Sequence, residues 1–386
     1  MPLNRNLNEE QIAIRDMIRK FAEDEIYPKA KELDEKEEFS YDLTQKMAEL
    51  GLLGAFIPEE YGGSGLDYIS YIIAVEELAR IDGSQAATVA AHNSLGMGPL
   101  NDFGNEEQKR KYLPKLAEGH LWGFGLTEPE AGSDAGNTQT TAVKDGDDWV
   151  INGSKIFITN SATDITLGST VLAVTGRLQD GRKELSTFIV ENGTAGFTQK
   201  VMKQKMMWRA SNTGELYFDN VRVHKSAMLG NRGDGFKQMM KTLDKGRLSI
   251  AAMGLGLAQG AMDYALKYAK ERRTFGKPIS SYQANAFKLA DVEVGLELAR
   301  PYLYDVCRMY EEGLPISKEG AIAKLNCSEL AHTAANHCVQ ILGGYGLMKE
   351  YDAEKYYRDQ KLLEIGEGTS EIQRIVISRA LGCYDY

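Results

Sequence analysis

Apolar residues recur at three- and four-residue spacing through most of the first 122 positions, which predicts helices. Asn8 with Gln11 predicts a capped helix start, and Ile14, Met17, Ile18 and Phe21 then share one stripe. Further helices are predicted over 42–50, stopping at Gly51, and over 70–81 and 85–100. Between them, Gly62, Gly63 and Gly65 mark a loop; no Lys-Ser/Thr follows, so it is no phosphate cradle. At Trp122 the period shortens. Strands are predicted over 170–175, 186–190 and 215–218, separated by Asp180-Gly181 and Asn192-Gly193, and Asn152-Gly153 predicts a hairpin within 149–159. From Gly235 the helical period returns over 236–272, 282–311 and 317–342. Gly254, Gly256 and Gly260 follow no strand, which excludes a dinucleotide fingerprint and favours close helix packing. The pattern divides the chain into a helical domain (1–122), a β domain (123–230) and a second helical domain (231–386), an α+β organisation.

Composition adds little to that picture except by exclusion. The 386 residues are 43% hydrophobic and 26% charged, which suits a globular protein of two or three domains. A net charge of −10 with no basic run argues against nucleic acid as a partner. No run of about 18 apolar residues could span a membrane. The opening Met1-Pro-Leu-Asn-Arg5 has no apolar signal, which fits a cytoplasmic bacterial protein or a processed one of the mitochondrial matrix. Cys307, Cys327, Cys338 and Cys383 form no C-x-x-C pair and read as reduced thiols. His332 and His337 lie near them in an Ala-rich helix whose spacings match no zinc pattern. His92 reads as a packed or capping histidine. Small and apolar residues on several faces of the late helices favour an oligomer.

One stretch, 364–379, concentrates candidate chemistry. Glu367 lies between Gly366 and Gly368, which permit a sharp turn and close approach of a ligand. Ser370 with Gln373 predicts a capping box, and Ile372, Ile375 and Val376 then give helical spacing. A carboxylate is thereby aimed from a tight loop at the start of a helix. Glu364 reads as structural.

Six short motifs stand in order along the chain: Tyr61-Gly-Gly-Ser-Gly65, Leu126-Thr-Glu-Pro-Glu-Ala-Gly-Ser-Asp134, Lys155-Ile-Phe-Ile-Thr-Asn160, Glu271-Arg-Arg-Thr-Phe-Gly-Lys-Pro278, Gln340-Ile-Leu-Gly-Gly344 and Glu367-Gly-Thr-Ser370. In these motifs and in its α–β–α order the chain resembles the acyl-CoA dehydrogenase family over essentially its whole length. The resemblance implies an N-terminal helical domain, a middle β-barrel or sandwich domain and a C-terminal four-helix bundle, assembled as a homotetramer with one FAD per subunit. It implies that Leu126 and Thr127 meet the flavin pyrimidine edge, that Ser133 meets the pyrophosphate and substrate, and that Phe157 and Thr159 flank the ring. Thr369 and Glu371 would lie beside the cofactor. Arg272, Thr274, Phe275 and Gln283 would reach the neighbouring subunit's FAD, completed by Gln340 and Gly344. Asp244, Arg247, Gly368 and Arg379 would line the acyl-CoA channel.

The reaction so implied removes two hydrogens from the α and β carbons of an acyl-CoA thioester. Glu367 would take the α-proton while hydride leaves for flavin N5, with electron-transfer flavoprotein as the onward acceptor. Some relatives carry the base on another helix, where this chain has Gly246, so Glu367 is the candidate. Many short- and medium-chain relatives have tyrosine where this chain has Gly366. With Ala91 at the pocket floor, that predicts room near the thioester for an α-branched or alicyclic acyl group such as cyclohexane-carboxyl. An enoyl-CoA reductase, oxygen-using relatives and a non-catalytic scaffold are the alternatives on this fold. A scaffold has no use for Glu367, Thr159 and Arg272 together.

Overall fold

Asn8 Oδ1 accepts from the Gln11 N–H at 2.8 Å and Gln11 Oε1 from the Asn8 N–H at 3.1 Å, the expected reciprocal cap of α1 (Glu9–Phe21). The structure, a computed structural model, describes residues 7–384; the opening five residues read above for a signal lie outside that range. Ile18 is fully buried on the inner face of α1, whereas Met17, expected on the same stripe, is exposed. There follow α2 (Tyr27–Lys36), α3 (Tyr41–Glu49), α4 (Tyr68–Ile81), α5 (Gly83–Ala91), α6 (Gly98–Phe103) and α7 (Glu106–Ala117). The single helical run expected over 85–100 is interrupted by a π-helical segment, His92–Met97. Pro99 then supplies no N–H at the start of α6, and the Gly98 N–H bonds back to the Asn93 carbonyl.

The middle domain is one seven-stranded sheet: β1 (Leu121–Gly125), β2 (Thr141–Asp145), β3 (Asp148–Thr159), β4 (Thr166–Arg177), β5 (Lys183–Glu191), β6 (Phe197–Val201) and β7 (Thr213–His224). The order is β1-β4-β2-β3-β7-β6, with β5 antiparallel along β4 and β1 parallel to it. Trp149, Phe188, Leu216 and the stacked pair Phe197–Phe218, 5.0 Å apart, fill its core.

The hairpin expected at Asn152-Gly153 is absent. β3 runs unbroken through both residues, with a register shift against β7. Asn152 Oδ1 accepts from the Asn220 N–H of β7 at 2.8 Å, and a Cβ on Gly153 would come within 2.7 Å of Thr140 Cα, the residue before β2. The pair thus marks a bulge where strands approach closely, and the β2–β3 hairpin turns at Gly146-Asp147.

The chain closes with α8 (Gly235–Glu271), the short hairpin β8 (Arg273–Thr274) and β9 (Lys277–Pro278), α9 (Gln283–Glu311), α10 (Ser317–Leu342), α11 (Ala353–Asp359) and α12 (Ser370–Ala380). α12 is capped by Thr369, whose hydroxyl accepts from the Ile372 N–H at 3.3 Å, and not by Ser370 as the sequence suggested. Ser370 already has helical geometry, and Gln373 turns its amide back to the Glu367 and Gly368 carbonyls. Among the described residues no helix is long and apolar enough to cross a membrane.

α8 packs along α4 and α10 through its glycines. A Cβ on Gly256 would lie 2.1 Å from the Glu76 carbonyl oxygen, on Gly260 2.0 Å from that of Arg80, and on Gly254 2.7 Å from that of Cys327. The seam joins the two helical domains into one apolar core. Replacing Gly260 by valine should therefore cost about 1–3 kcal/mol of stability. Scanning calorimetry of the variant tests this, and an unchanged melting temperature would contradict the seam.

Candidate active site

Glu367 is delivered by two helical ends. The 3₁₀ turn Gln360–Glu364 stops when the Ile365 and Gly366 N–H groups both bond to the Leu362 carbonyl, at 2.9 and 2.7 Å. Glu367 (φ 52°) and Gly368 (φ 93°) then take successive left-handed conformations before Thr369 caps α12. A left-handed non-glycine residue costs about 1–2 kcal/mol. Two fully buried side chains hold it there: Gln373 Nε2 donates to the Gly368 carbonyl at 2.9 Å and the Glu367 carbonyl at 3.3 Å, and Lys324 Nζ of α10 donates to the Gly368 carbonyl at 2.8 Å. The Glu367 N–H itself donates to no acceptor among the described residues.

The carboxylate points at α8. A Cβ on Gly246 would lie 2.3 Å from Glu367 Oε2 and 3.4 Å from Leu95 Cδ2. Any side chain at 246 would occupy the space that the Glu367 carboxylate fills. Leu95 arrives on the π-helical segment that follows Ala91, a half-buried residue at the end of α5. Among the described residues Glu367 Oε2 is enclosed and has no hydrogen-bond partner. Burial raises the carboxyl to about 7, against the opposing pull of the Lys324 and Arg247 cations. Lys324 is itself lowered to about 8 by burial. Arg247 Nη1 pairs with Asp244 Oδ1 at 2.6 Å, leaving its buried Nε without a partner among the described residues. Glu364, read above as structural, pairs with Lys361 at 2.6 Å and lies 3.1 Å from His332 Nδ1. His92 is fully buried, its Nε2 3.2 Å from the Leu116 carbonyl, and burial lowers it to about 4.

A second group of residues gathers at the end of β3. Lys155, 1% exposed, pairs with Glu128 at 2.7 Å and donates to the Leu126 carbonyl at 3.1 Å. Burial alone would raise the Glu128 carboxyl; the Lys155 ammonium and the Gln139 N–H bring it below its ordinary range. The Ile156 N–H donates to the Thr127 carbonyl at 2.9 Å, so the 126–127 segment is pinned beside β3. The next residue, Phe157, is 63% exposed with φ 62°, on a bulge in the pairing with β7. Thr159 is half-buried beyond it, and Ser133 is exposed on the loop after β1. Asn160 Nδ2 donates to the Thr88 carbonyl of α5 at 2.9 Å, tying this end of the sheet to the helix that leads to Ala91 and Leu95. An exposed phenyl ring held on a strained bulge beside hydroxyl and backbone donors fits a planar ring with a polar edge, as a flavin is.

The remaining expected residues lie in the C-terminal domain. Arg272 caps α8 with its guanidinium 5.8 Å from the Tyr345 ring, which brings the β8–β9 hairpin to the turn that holds Gly344. Phe275, at the hairpin tip with φ 47°, is 95% exposed. Thr274 is half-buried; Gln283 and Gln340 are exposed. No hydrogen bond, ion pair or ring contact joins this group to Glu367 among the described residues. Arg379 is exposed in the last turn of α12, and Glu371, exposed in its first, is held below its ordinary range by its own backbone N–H and the Thr369 hydroxyl. Lys324 was legible only as a charge inside the Ala-rich run 321–335, and Gln373 only as a supposed cap.

Comparison with known proteins agrees across the chain. Family models described as the N-terminal, middle and C-terminal domains of acyl-CoA dehydrogenase match residues 8–120, 123–221 and 233–382. A probable acyl-CoA dehydrogenase of Bacillus subtilis is 50% identical over 380 residues, covering 98% of this chain and 100% of that one. The structure of butyryl-CoA dehydrogenase from Megasphaera elsdenii superposes with a TM-score of 0.94 at 42% identity, covering 98% and 100% of the two chains. A chain in a structure described as an electron transferring flavoprotein of Acidaminococcus fermentans gives 0.94 at 45% identity, covering 98% and 99%.

The raised Glu367 carboxyl has a consequence for stability. The folded state holds its proton more tightly than the unfolded chain, so stability is lost as pH rises from about 4.5 to about 7. Glu367→Gln should stabilise the protein at pH 8, by at most about 3 kcal/mol, and by less than about 1 kcal/mol at pH 5. Thermal unfolding at the two pH values tests this; equal effects at both would show that the carboxylate is solvated.

Proposed function

The chain belongs to the acyl-CoA dehydrogenase family of FAD-dependent oxidoreductases, and from that premise we propose that Glu367 is the base that removes the α-proton of a short-chain acyl-CoA thioester. The observation that carries this is the enclosed, unpartnered Oε2 set against Gly246 and raised to about 7. A base is most effective with its pKa near the working pH, where it is partly ionised yet binds the proton firmly. The free N–H of Glu367 donates to the thioester oxygen as charge builds there, an interaction worth a few kcal/mol. FAD, when bound, supplies the hydride acceptor that no side chain can provide.

Leu126, Thr127, Ser133, Phe157 and Thr159 hold the ring and its nearer phosphate, and Thr369 and Glu371 lie beside it. Arg272 contributes charge-assisted donors to the pyrophosphate of a neighbouring subunit's FAD. Thr274, Phe275, Gln283, Gln340 and Gly344 complete that site across the interface. The exposed apolar side chains Phe275, Leu298 and Leu347 in the C-terminal domain support such an assembly, a homotetramer, in which a second copy would cover them. Asp244, Arg247, Gly368 and Arg379 line the approach of the CoA thioester. Similarity to the chain from the electron transferring flavoprotein structure supports such a flavoprotein as the electron acceptor.

The acyl group is short, as the likeness to butyryl-CoA dehydrogenase supports, and it can be bulky at Cα. The three atoms nearest a Cβ built on Gly366 all belong to Leu362, at 3.4–3.7 Å, which is ordinary contact and supports room for a side chain or a bulky acyl group where many relatives carry a tyrosine ring. Ala91 adds a second small side chain. The purified protein should be yellow, and its flavin band should bleach anaerobically with butyryl-, α-methyl-branched or cyclohexane-carboxyl-CoA. A clear preference for butyryl-CoA over every branched and cyclic thioester would exclude the wide pocket. Gly366→Tyr should lower kcat/KM for the branched and cyclic substrates while sparing butyryl-CoA.

Glu367→Gln should slow flavin reduction by butyryl-CoA by roughly 10²–10⁴-fold with FAD content unchanged. Stopped-flow absorbance measures this, and a wild-type rate would remove Glu367 from the chemistry.

A further inference from the structure

Lys324 is an anomaly in its helix. It lies fully buried in α10 among Ala321, Ala323, Cys327 and Ala331, where a methionine would fill the space without desolvating a charge. Burying an ammonium costs several kcal/mol unless a partner offsets it. Among the described residues no carboxylate lies within ion-pair reach of Lys324, and the ammonium uses one of its three donors, on the Gly368 carbonyl. The other cation near Glu367, Arg247, has its charge matched by Asp244 at 2.6 Å. Lys324 is thus the unmatched positive charge beside an unmatched buried carboxylate.

We propose that Lys324 is the positioning residue of the base: its ammonium clamps the left-handed turn through the Gly368 carbonyl and supplies the positive charge that keeps the Glu367 carboxylate available. This rests on the reading of Glu367 as the base. Lys324 from α10 and Arg247 from α8 act on Glu367, which in turn acts on Tyr68 and Tyr71 of α4. Both phenols are pushed up by burial and stay neutral, so they add no charge. Lys324 in turn faces Arg247, Glu364 and Glu371 besides Glu367, and the attraction of Glu367 is the strongest of these. Clamp and charge are separable. Gln373 shares the clamp but is neutral, so it supports the turn without influencing the ionisation.

The test is the pH profile of kcat/KM for butyryl-CoA, which reports the base in the free enzyme. In the Lys324→Met holoenzyme the acid limb should move to higher pH by about one unit, because the carboxylate loses its stabilising cation. Lys324→Arg should keep the wild-type midpoint. If Lys324→Met yields no soluble holoenzyme, Lys324→Gln, which still donates to the Gly368 carbonyl, should show the same shift. A neutral variant with a wild-type midpoint, whatever its rate, overturns the proposal. The Glu367→Gln holoenzyme separates the two levels. If it is inactive while the Lys324 variants are unshifted, the inference on Lys324 fails alone; if it is fully active, the base reading and this inference fall together.

Discussion

A carboxylate enclosed without a hydrogen-bond partner is the constraint on which the rest of this structure depends. Water would ordinarily solvate such a group, and its removal raises Glu367 to about 7. α8 passes so near that a side chain at 246 would displace the carboxylate. The approach is shared between the two elements, since a shift of either α8 or the 366–369 turn would reopen the site to solvent or force the carboxylate aside. The turn is strained, with Glu367 itself left-handed, and persists because Lys324, Gln373 and the Thr369 cap determine it from three directions.

α8 carries most of that responsibility. Its first third holds Asp244, Gly246 and Arg247, and about two to four turns further on Gly254, Gly256 and Gly260 let the backbones of α4 and α10 come into contact with it. The packing that joins the helical domains therefore also fixes the distance between Gly246 and Glu367. The β domain is tied to α5 through Asn160, and within it the Lys155–Glu128 pair holds the 126–127 segment against β3. Both devices put buried polar groups where their partners exist in one arrangement only, which favours a defined geometry over the most stable core.

Much of this was legible in the sequence. Long runs of helical period gave α8, α9 and α10 nearly to the residue, because a 3.6-residue repeat over some thirty positions leaves little ambiguity. Glu367 stood out between two glycines before a helix start. Local signals misled where tertiary contacts decide. Asn152-Gly153 has the composition of a hairpin turn, yet β2 and β7 on either side hold it as a bulge. Ser370 and Gln373 have the spacing of a capping box, yet Thr369 takes the cap and Gln373 serves the Glu367 turn. Lys324 could not be singled out from spacing at all, since the acceptor that explains it lies 44 residues away in the chain. The steric exclusion between Gly246 and Glu367 was likewise invisible, although the sequence already showed that one position was empty and the other filled.

The account turns on whether Glu367 removes a proton from the carbon next to the thioester. The most direct measurement is exchange of that hydrogen: butyryl-CoA is incubated anaerobically with the holoenzyme in D₂O, and deuterium at Cα is followed by NMR or mass spectrometry. The account predicts that the wild-type protein incorporates deuterium at Cα and that Glu367→Gln, with its FAD retained, incorporates none above the uncatalysed background. Exchange by Glu367→Gln at the wild-type rate would contradict it, and would mean that another group holds the proton.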